Sequence, residues 1–184
     1  ARVKAPIGFG RGAATGGDAV NAGRYIRLAP EYDGGAMWTD PASGYTDVGE
    51  MTAGHDTGHN AYRWKTLEST VQEQTVVVEI PVPIGYTIWK NCGFWARVSG
   101  LGGAPHADTK VLLTDVEDSL GVITTLAPSV SSNSLTWAWN PFTMPGGTYT
   151  PGEFFKLYFR LRAHGVHTTI IDVCYLGELK MDAW

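Results

Sequence analysis

The stretch "FFKLYFRLRAHGVHTTIIDVCYLGEL", Phe154 to Leu179, constrains the fold more than any other part of the chain. Phe155, Leu157, Phe159 and Leu161 alternate with Lys156, Tyr158, Arg160 and Arg162. A period of two puts every apolar residue on one face of a strand, whereas a helix would scatter them around its circumference. "AHGVH" supplies a Gly-containing turn, and the alternation resumes in "TTIIDVCYLGELKM". The segment therefore predicts a hairpin at the centre of a sheet, with Phe155, Leu157, Phe159 and Leu161 buried.

The same period extends back to Tyr62. "TVVVEIPV", "YTIW", "GFWARVSG", "TKVLLTDVED", "GVITTLAP" and "SLTWAWNPF" follow one another at short spacing, each closed by Gly, Pro, Asn or Asp. In "GFWARVSG", Phe94, Ala96 and Val98 fall on one face and Trp95, Arg97 and Ser99 on the other. About eight such strands with turns between them predict an antiparallel sandwich or barrel. Pro81 and Pro83 belong at a strand end or sheet edge, since proline donates nothing to the ladder. The only helix candidate, "LESTVQEQ", is read as a linker.

Residues 1–61 differ. "GFGRGAATGGDAVNAG" and "YDGGAMWTDPASGYTDVGEMTAGHDTGHN" are rich in Gly, Ala, Thr and Asp and have almost no periodicity; only "GRYIRLAPEY" between them alternates. Gly loses the most backbone entropy on being fixed, so extended structure and turns are expected here rather than helix. Solvated tails are poor in aromatics. Tyr25, Tyr32, Trp38 and Tyr45 thus mark an arm ordered by a surface it lies on, and they are its candidate partner-binding residues. The expected division is an extended arm at 1–61 and a β-domain at 62–184.

Composition narrows the function classes. Charged residues are 17% of the 184, against roughly 25% in an ordinary domain, which favours a chain that hides surface in contacts. A net charge of -4 leaves no basic footprint for nucleic acid. No apolar run approaches the ~18 residues of a membrane span, and "ARVKAPIGFGRG" lacks the apolar core of a signal peptide, so export by the usual route is not expected. Cys92 and Cys174 sit in apolar strand contexts, where a free cysteine behaves as a small hydrophobe; a bridge between them is the other reading.

Reactive constellations are weak. Asp56-Thr57-Gly58 matches the short signature of aspartic proteases, but it follows "MTAGH" rather than an apolar strand and has no second copy. His55 and His59 have a spacing that binds zinc on a helix, but Gly54 and Gly58 argue against a helix. His106, Asp108, His164 and His167 could join a loop metal site, while polar, solvated histidines are the plainer reading. Asp115, Glu117 and Asp118 could form an acid–base pair or ligate calcium, but read better as a solvated loop. No catalytic residue, metal site or cofactor is assigned. Trp137 and Trp139 share a strand face, with Trp89 and Trp95 nearby in sequence. An exposed face of this kind would be a sugar-stacking platform; core or subunit packing is the alternative favoured here.

The order "VVVEIPVPIGYTIWKNCGFWARVSG … TWAWN … GEFFKLYFRLRA … TTIIDVCYLGELKM" resembles the small jelly-roll β-sandwich virion proteins of tailed bacteriophages, the capsid decoration or cement proteins. That resemblance implies an all-β antiparallel sandwich of jelly-roll type preceded by an extended Gly-rich arm. It also implies a non-enzymatic role on the virion capsid surface after synthesis in the host cytoplasm, with the major capsid protein as partner and a homo-oligomer, a trimer, as the assembly. The same strand order resembles jelly-roll carbohydrate-binding modules, which implies glycan binding instead. A cupin-type enzyme is disfavoured, because the histidines fall in turns.

Overall fold

A computed structural model describes residues 47–166 and 169–184, together with the backbone of residues 24–28, 36–39 and 167. Twelve strands occur among these residues. They are β1 (Arg24–Leu28), β2 (Ala36–Thr39), β3 (Glu50–Asp56), β4 (His59–Lys65), β5 (Val71–Pro81) and β6 (Trp89–Leu101), followed by β7 (Lys110–Glu117), β8 (Ile123–Ser132), β9 (Ala138–Phe142), β10 (Phe154–His164), β11 (Val166–His167) and β12 (Ile170–Ala183). Sheet A has the order β3-β4-β12-β6-β9, with β1 and β11 also paired to β12; sheet B has the order β2-β5-β10-β7-β8. All pairings are antiparallel. The eight strands β4-β12-β6-β9 and β5-β10-β7-β8, with the chain crossing repeatedly between layers, form a jelly roll.

The alternation read from sequence fixes which side of β6 and β10 faces inward. Phe155, Leu157, Phe159 and Leu161 are all buried, as are Phe94, Ala96 and Val98 on the facing sheet. Phe94 of sheet A meets Phe159 of sheet B edge-to-face at 5.0 Å between centroids, a favoured geometry for aromatic pairs. Pro81 closes β5, as its missing N–H requires. In β12 the inward set is Cys174 and Leu176, then Leu179, Met181 and Ala183. The parity changes because the ladder slips between Leu176 and Leu179. Such a bulge keeps both halves of a long strand facing the core.

The expected terminal hairpin does not form. β10 pairs with β5 and β7 in sheet B, while β12 pairs with β4 and β6 in sheet A. β10 is apolar on one side only, and β12 carries its larger apolar set on one side with Val173 and Tyr175 on the other. The two core sets are buried together when the strands face each other across the sandwich. "AHGVH" is therefore a crossover between layers. It packs tightly: a Cβ on Gly165 would fall 1.8 Å from the Glu68 carbonyl oxygen.

The boundary at residues 61 and 62 also needs correction, since it falls inside β4 and the sheet begins earlier. β3 and β4 form a hairpin from Glu50↔Lys65 to Asp56↔His59. Its two-residue turn is Thr57-Gly58, with φ of 45° and 87°, the positive pair that tight hairpin turns require. The Gly content that suggests an aperiodic arm here serves the turn. β1 and β2 add short strands to β12 and β5. Tyr25 and Trp38 lie on these two strands, where only the backbone is described, and Tyr32 and Tyr45 lie outside the described residues.

Candidate functional site

Cross-strand neighbours on the outer face of sheet A form two rows. Register places Thr52, Arg63, Tyr175 and Arg97 side by side across β3, β4, β12 and β6. The next row runs from Gly54 and Ala61 to Trp95 and Trp139, with the β12 bulge between. Two glycines let indoles settle on the backbone. A Cβ on Gly93 would lie 2.2 Å from Cζ2 of Trp139, and one on Gly177 would lie 2.8 Å from Cζ3 of Trp137. Glycine inside a strand often marks such a close approach.

The outcome is a continuous stripe of rings. Centroid separations are 5.7 Å for Trp139–Trp95, 5.1 Å for Trp95–His59, 4.4 Å for His59–Trp137 and 6.2 Å for Trp137–Tyr175. The three indoles are partly exposed, whereas Tyr175 is buried. The Lys180 ammonium lies 5.8 Å from the Trp139 ring, and the Arg97 guanidinium lies 4.6 Å over Tyr175, both cation–π contacts.

The β3–β4 hairpin curls over this face. In a flat sheet β3 and β6 would be about 14 Å apart, three strand spacings, which is beyond the reach of an arginine side chain. Yet Arg97 of β6 donates through Nη1 to Thr57 Oγ1 at 3.2 Å, and its Nε lies 3.3 Å from Asp56 Oδ2. The second contact is an ion pair without hydrogen-bond alignment. Trp137 Nε1 donates to Asp56, and Thr57 Oγ1 donates to the same carboxylate at 2.8 Å. Beneath the curl lies a recess of about 160 Å³, lined by Thr52, Gly54, His55, Asp56, Arg63 and Tyr175 with Ala53 and Ala61.

Asp-Thr-Gly is thus a turn whose aspartate ties strands together. His59 packs on Trp95 and Trp137, while His55 pairs across the hairpin with Asn60, so the two histidines do not converge. His106 stacks on His164 at 4.4 Å, near Asp108. Among the described residues, no group of three His, Cys, Asp or Glu comes together as a metal site would. Trp89 leaves the other tryptophans and enters the core against Phe155 and Tyr149. The preference for core or interface packing therefore holds for Trp89, while Trp95, Trp137 and Trp139 form the outer stripe.

The acidic segment is not a solvated loop. Asp115 and Glu117 belong to β7 and face Arg160, Tyr158 and Lys156 of β10 on the outside of sheet B. Burial would raise the Asp115 pKa, but hydrogen bonds from Thr114, Thr125 and Arg160 outweigh it and hold the carboxyl below its usual range. Asp118 accepts from the backbone N–H groups of Thr148, Val122 and Leu120 and so ties two loops together. Cys92 and Cys174 are free and buried, on different strands of sheet A.

Sequence reading missed Tyr175, Arg63 and Arg97 as members of one surface. The available signals were Gly93 and Gly177 inside strands, but neither reveals which indole it receives.

No protein-family model and no curated protein matches the chain. Among solved structures it is similar to TmCBM61 in complex with β-1,4-galactotriose, at 10% identity and a TM-score of 0.45, covering 87% of this chain and 88% of that one. It is also similar to the enzymatically active domain of bacteriophage CBA120 tailspike protein 4, at 11% identity and a TM-score of 0.50, covering 82% of this chain but 20% of that one. A third is the family 22 carbohydrate-binding module of Clostridium thermocellum Xyn10B, at 12% identity and a TM-score of 0.42, covering 83% and 89%. At these identities the likeness concerns the fold.

Proposed function

We propose that the outer face of sheet A binds carbohydrate and that the chain acts as a non-catalytic binding module. The observation that carries this reading is the stripe of Trp139, Trp95, His59, Trp137 and Tyr175, which ends beside a polar recess. Flat rings offer apolar area to the C–H faces of a pyranose, and the polar rim supplies partners for its hydroxyls. The recess is small against the ~300–1,000 Å³ of pockets for drug-sized ligands, so it suits one sugar unit, with the stripe extending the contact. Asp56 is committed to Trp137, Thr57 and Arg97, which fits a structural role better than proton transfer.

The test is a glycan array followed by titration of the hits using intrinsic tryptophan fluorescence. Trp137→Ala should weaken binding at least tenfold. Trp64→Phe, altered on the core side of β4, should leave it unchanged. Absence of binding to any glycan class would sink the reading. Attachment to a capsid shell as a trimer, with the major capsid protein as partner, rests on the sequence resemblance alone. Its test is whether the chain is a stoichiometric component of purified particles.

A further inference from the structure

The charges around the recess are unequal. Two guanidinium groups, Arg63 and Arg97, lie in one cross-strand row with Tyr175 between them, and Asp56 is the carboxylate that lines the recess. Arg97 is spent: its side chain covers Tyr175 and reaches Asp56 and Thr57. Arg63 is not. Its Nε donates to Thr52 Oγ1 at 3.2 Å, which fixes the plane of the guanidinium, and the side chain is exposed. Its two terminal nitrogens have no hydrogen-bond or ion-pair partner among the described residues. Nearby, Glu50 pairs with Lys65 at 2.8 Å, and Arg63 acts on the same carboxylate only as the weakest of its influences.

The floor beside Arg63 is open. Gly54 and Ala61 face each other across the hairpin; Ala61 is buried with Val173 and Tyr175, whereas a Cβ built on Gly54 meets nothing within 4 Å. A small ring can therefore lie over Gly54, with an acidic substituent directed at Arg63. A planar fork with two free donors matches a carboxylate bidentately, whereas a hydroxyl could use only one of them.

We propose that the recess selects a carboxylated sugar, a uronic-acid unit, with its carboxylate on the terminal nitrogens of Arg63. This rests on the carbohydrate-binding reading and adds the charge of the ligand to it. A neutral sugar would leave the guanidinium uncompensated by the ligand, so the preference comes from one charge-assisted pair at a partly solvated site.

The experiment titrates the protein at low ionic strength with uronic-acid oligosaccharides, with the same oligosaccharides after reduction of their carboxyl groups to alcohols, and with sulfated neutral oligosaccharides. The acidic form should bind about tenfold tighter than its reduced counterpart, the magnitude of one hydrogen-bonded charge pair. Arg63→Gln should erase that preference while retaining binding to the reduced form. Arg63→Lys should restore only part of it, because an ammonium lacks the fork. Gly54→Thr should weaken both forms by filling the recess, with the melting temperature of each variant checking the fold. Equal binding of the acidic and reduced forms, a preference for sulfated sugars, or an acid preference surviving in Arg63→Gln would overturn the proposal while leaving carbohydrate binding intact. Failure to bind any of these or other glycans would overturn both.

Discussion

The indole Nε1 of Trp137 lies 3.2 Å from the Asp56 carboxylate and 3.2 Å from the Asp56 carbonyl oxygen, joining residues 81 positions apart. One is the last residue of β3 at one edge of sheet A; the other immediately precedes β9 at the opposite edge. The contact, with those of Arg97 to Asp56 and Thr57, bridges the curled edge of the sheet beside the recess.

Asp56→Ala should release the hairpin tip. Arg97 loses its ion-pair partner and Trp137 its side-chain acceptor, on a partly solvated surface where such pairs contribute about 1 kcal/mol or less. The expected outcome is a small fall in the denaturation midpoint with a red-shifted tryptophan emission. An unchanged emission spectrum would show that the tip is held by other contacts.

Leu157→Ala should be far more damaging. Leu157 is fully buried between the sheets, and truncating a buried leucine costs about 2–5 kcal/mol through lost burial and the cavity left behind. A urea titration measures this directly, and a loss below about 0.5 kcal/mol, the range of surface substitutions, would contradict the assigned register.

Glu73→Ala should reveal a buried ion pair on the opposite sheet. Glu73 is 0% exposed and is held by Arg162 at 2.6 Å and Arg160 at 3.5 Å. Removing one partner of a buried pair costs about 3–5 kcal/mol, and the partial exposure of both arginines places this case near the lower end. The check is the stability of Glu73→Ala against that of an Arg162→Ala, Glu73→Ala double variant. If the two charges are coupled, the double loss is smaller than the sum of the single losses.

Acid should weaken sheet B before it touches the core. Burial opposes ionisation of Asp115 and of Glu117, but their hydrogen bonds and neighbouring cations prevail, so both are held below the ordinary carboxylate range. For Glu117 the donors are Lys156 and Tyr158. A depressed folded pKa contributes stability that is fully present above the unfolded value, near 4, and is lost as pH falls through the folded one. Urea midpoints should therefore be level from pH 7 to about 5 and fall below it. Asp115→Asn should flatten that fall.

Both thiols should be silent in the native protein. Burial pushes Cys92 up to about 12 and raises Cys174 as well, so almost no thiolate exists at neutral pH. An aromatic disulfide reagent should titrate two thiols only after unfolding. Rapid reaction of either in buffer would place it at the surface.

The sequence by itself determined the inward faces of β6 and β10. Alternation in "FFKLYFRL" and "GFWARVSG" leaves only one side able to be buried, because successive side chains point in opposite directions. That is local information, and it survives whatever the strand pairs with. Pairing is not local. β10 and β12 read as a hairpin because a glycine turn joins them, but their core-facing sets are buried together when the two strands face each other in separate layers. The same limit applied to Asp56, Arg63 and Tyr175. Each alone reads as a turn residue, a surface charge or packing. Only the register across β3, β4, β12 and β6, and the curl of a hairpin turned by Thr57 and Gly58, set them around one recess. Contacts between residues 81 positions apart follow from the path of the whole chain, which no short stretch of it specifies.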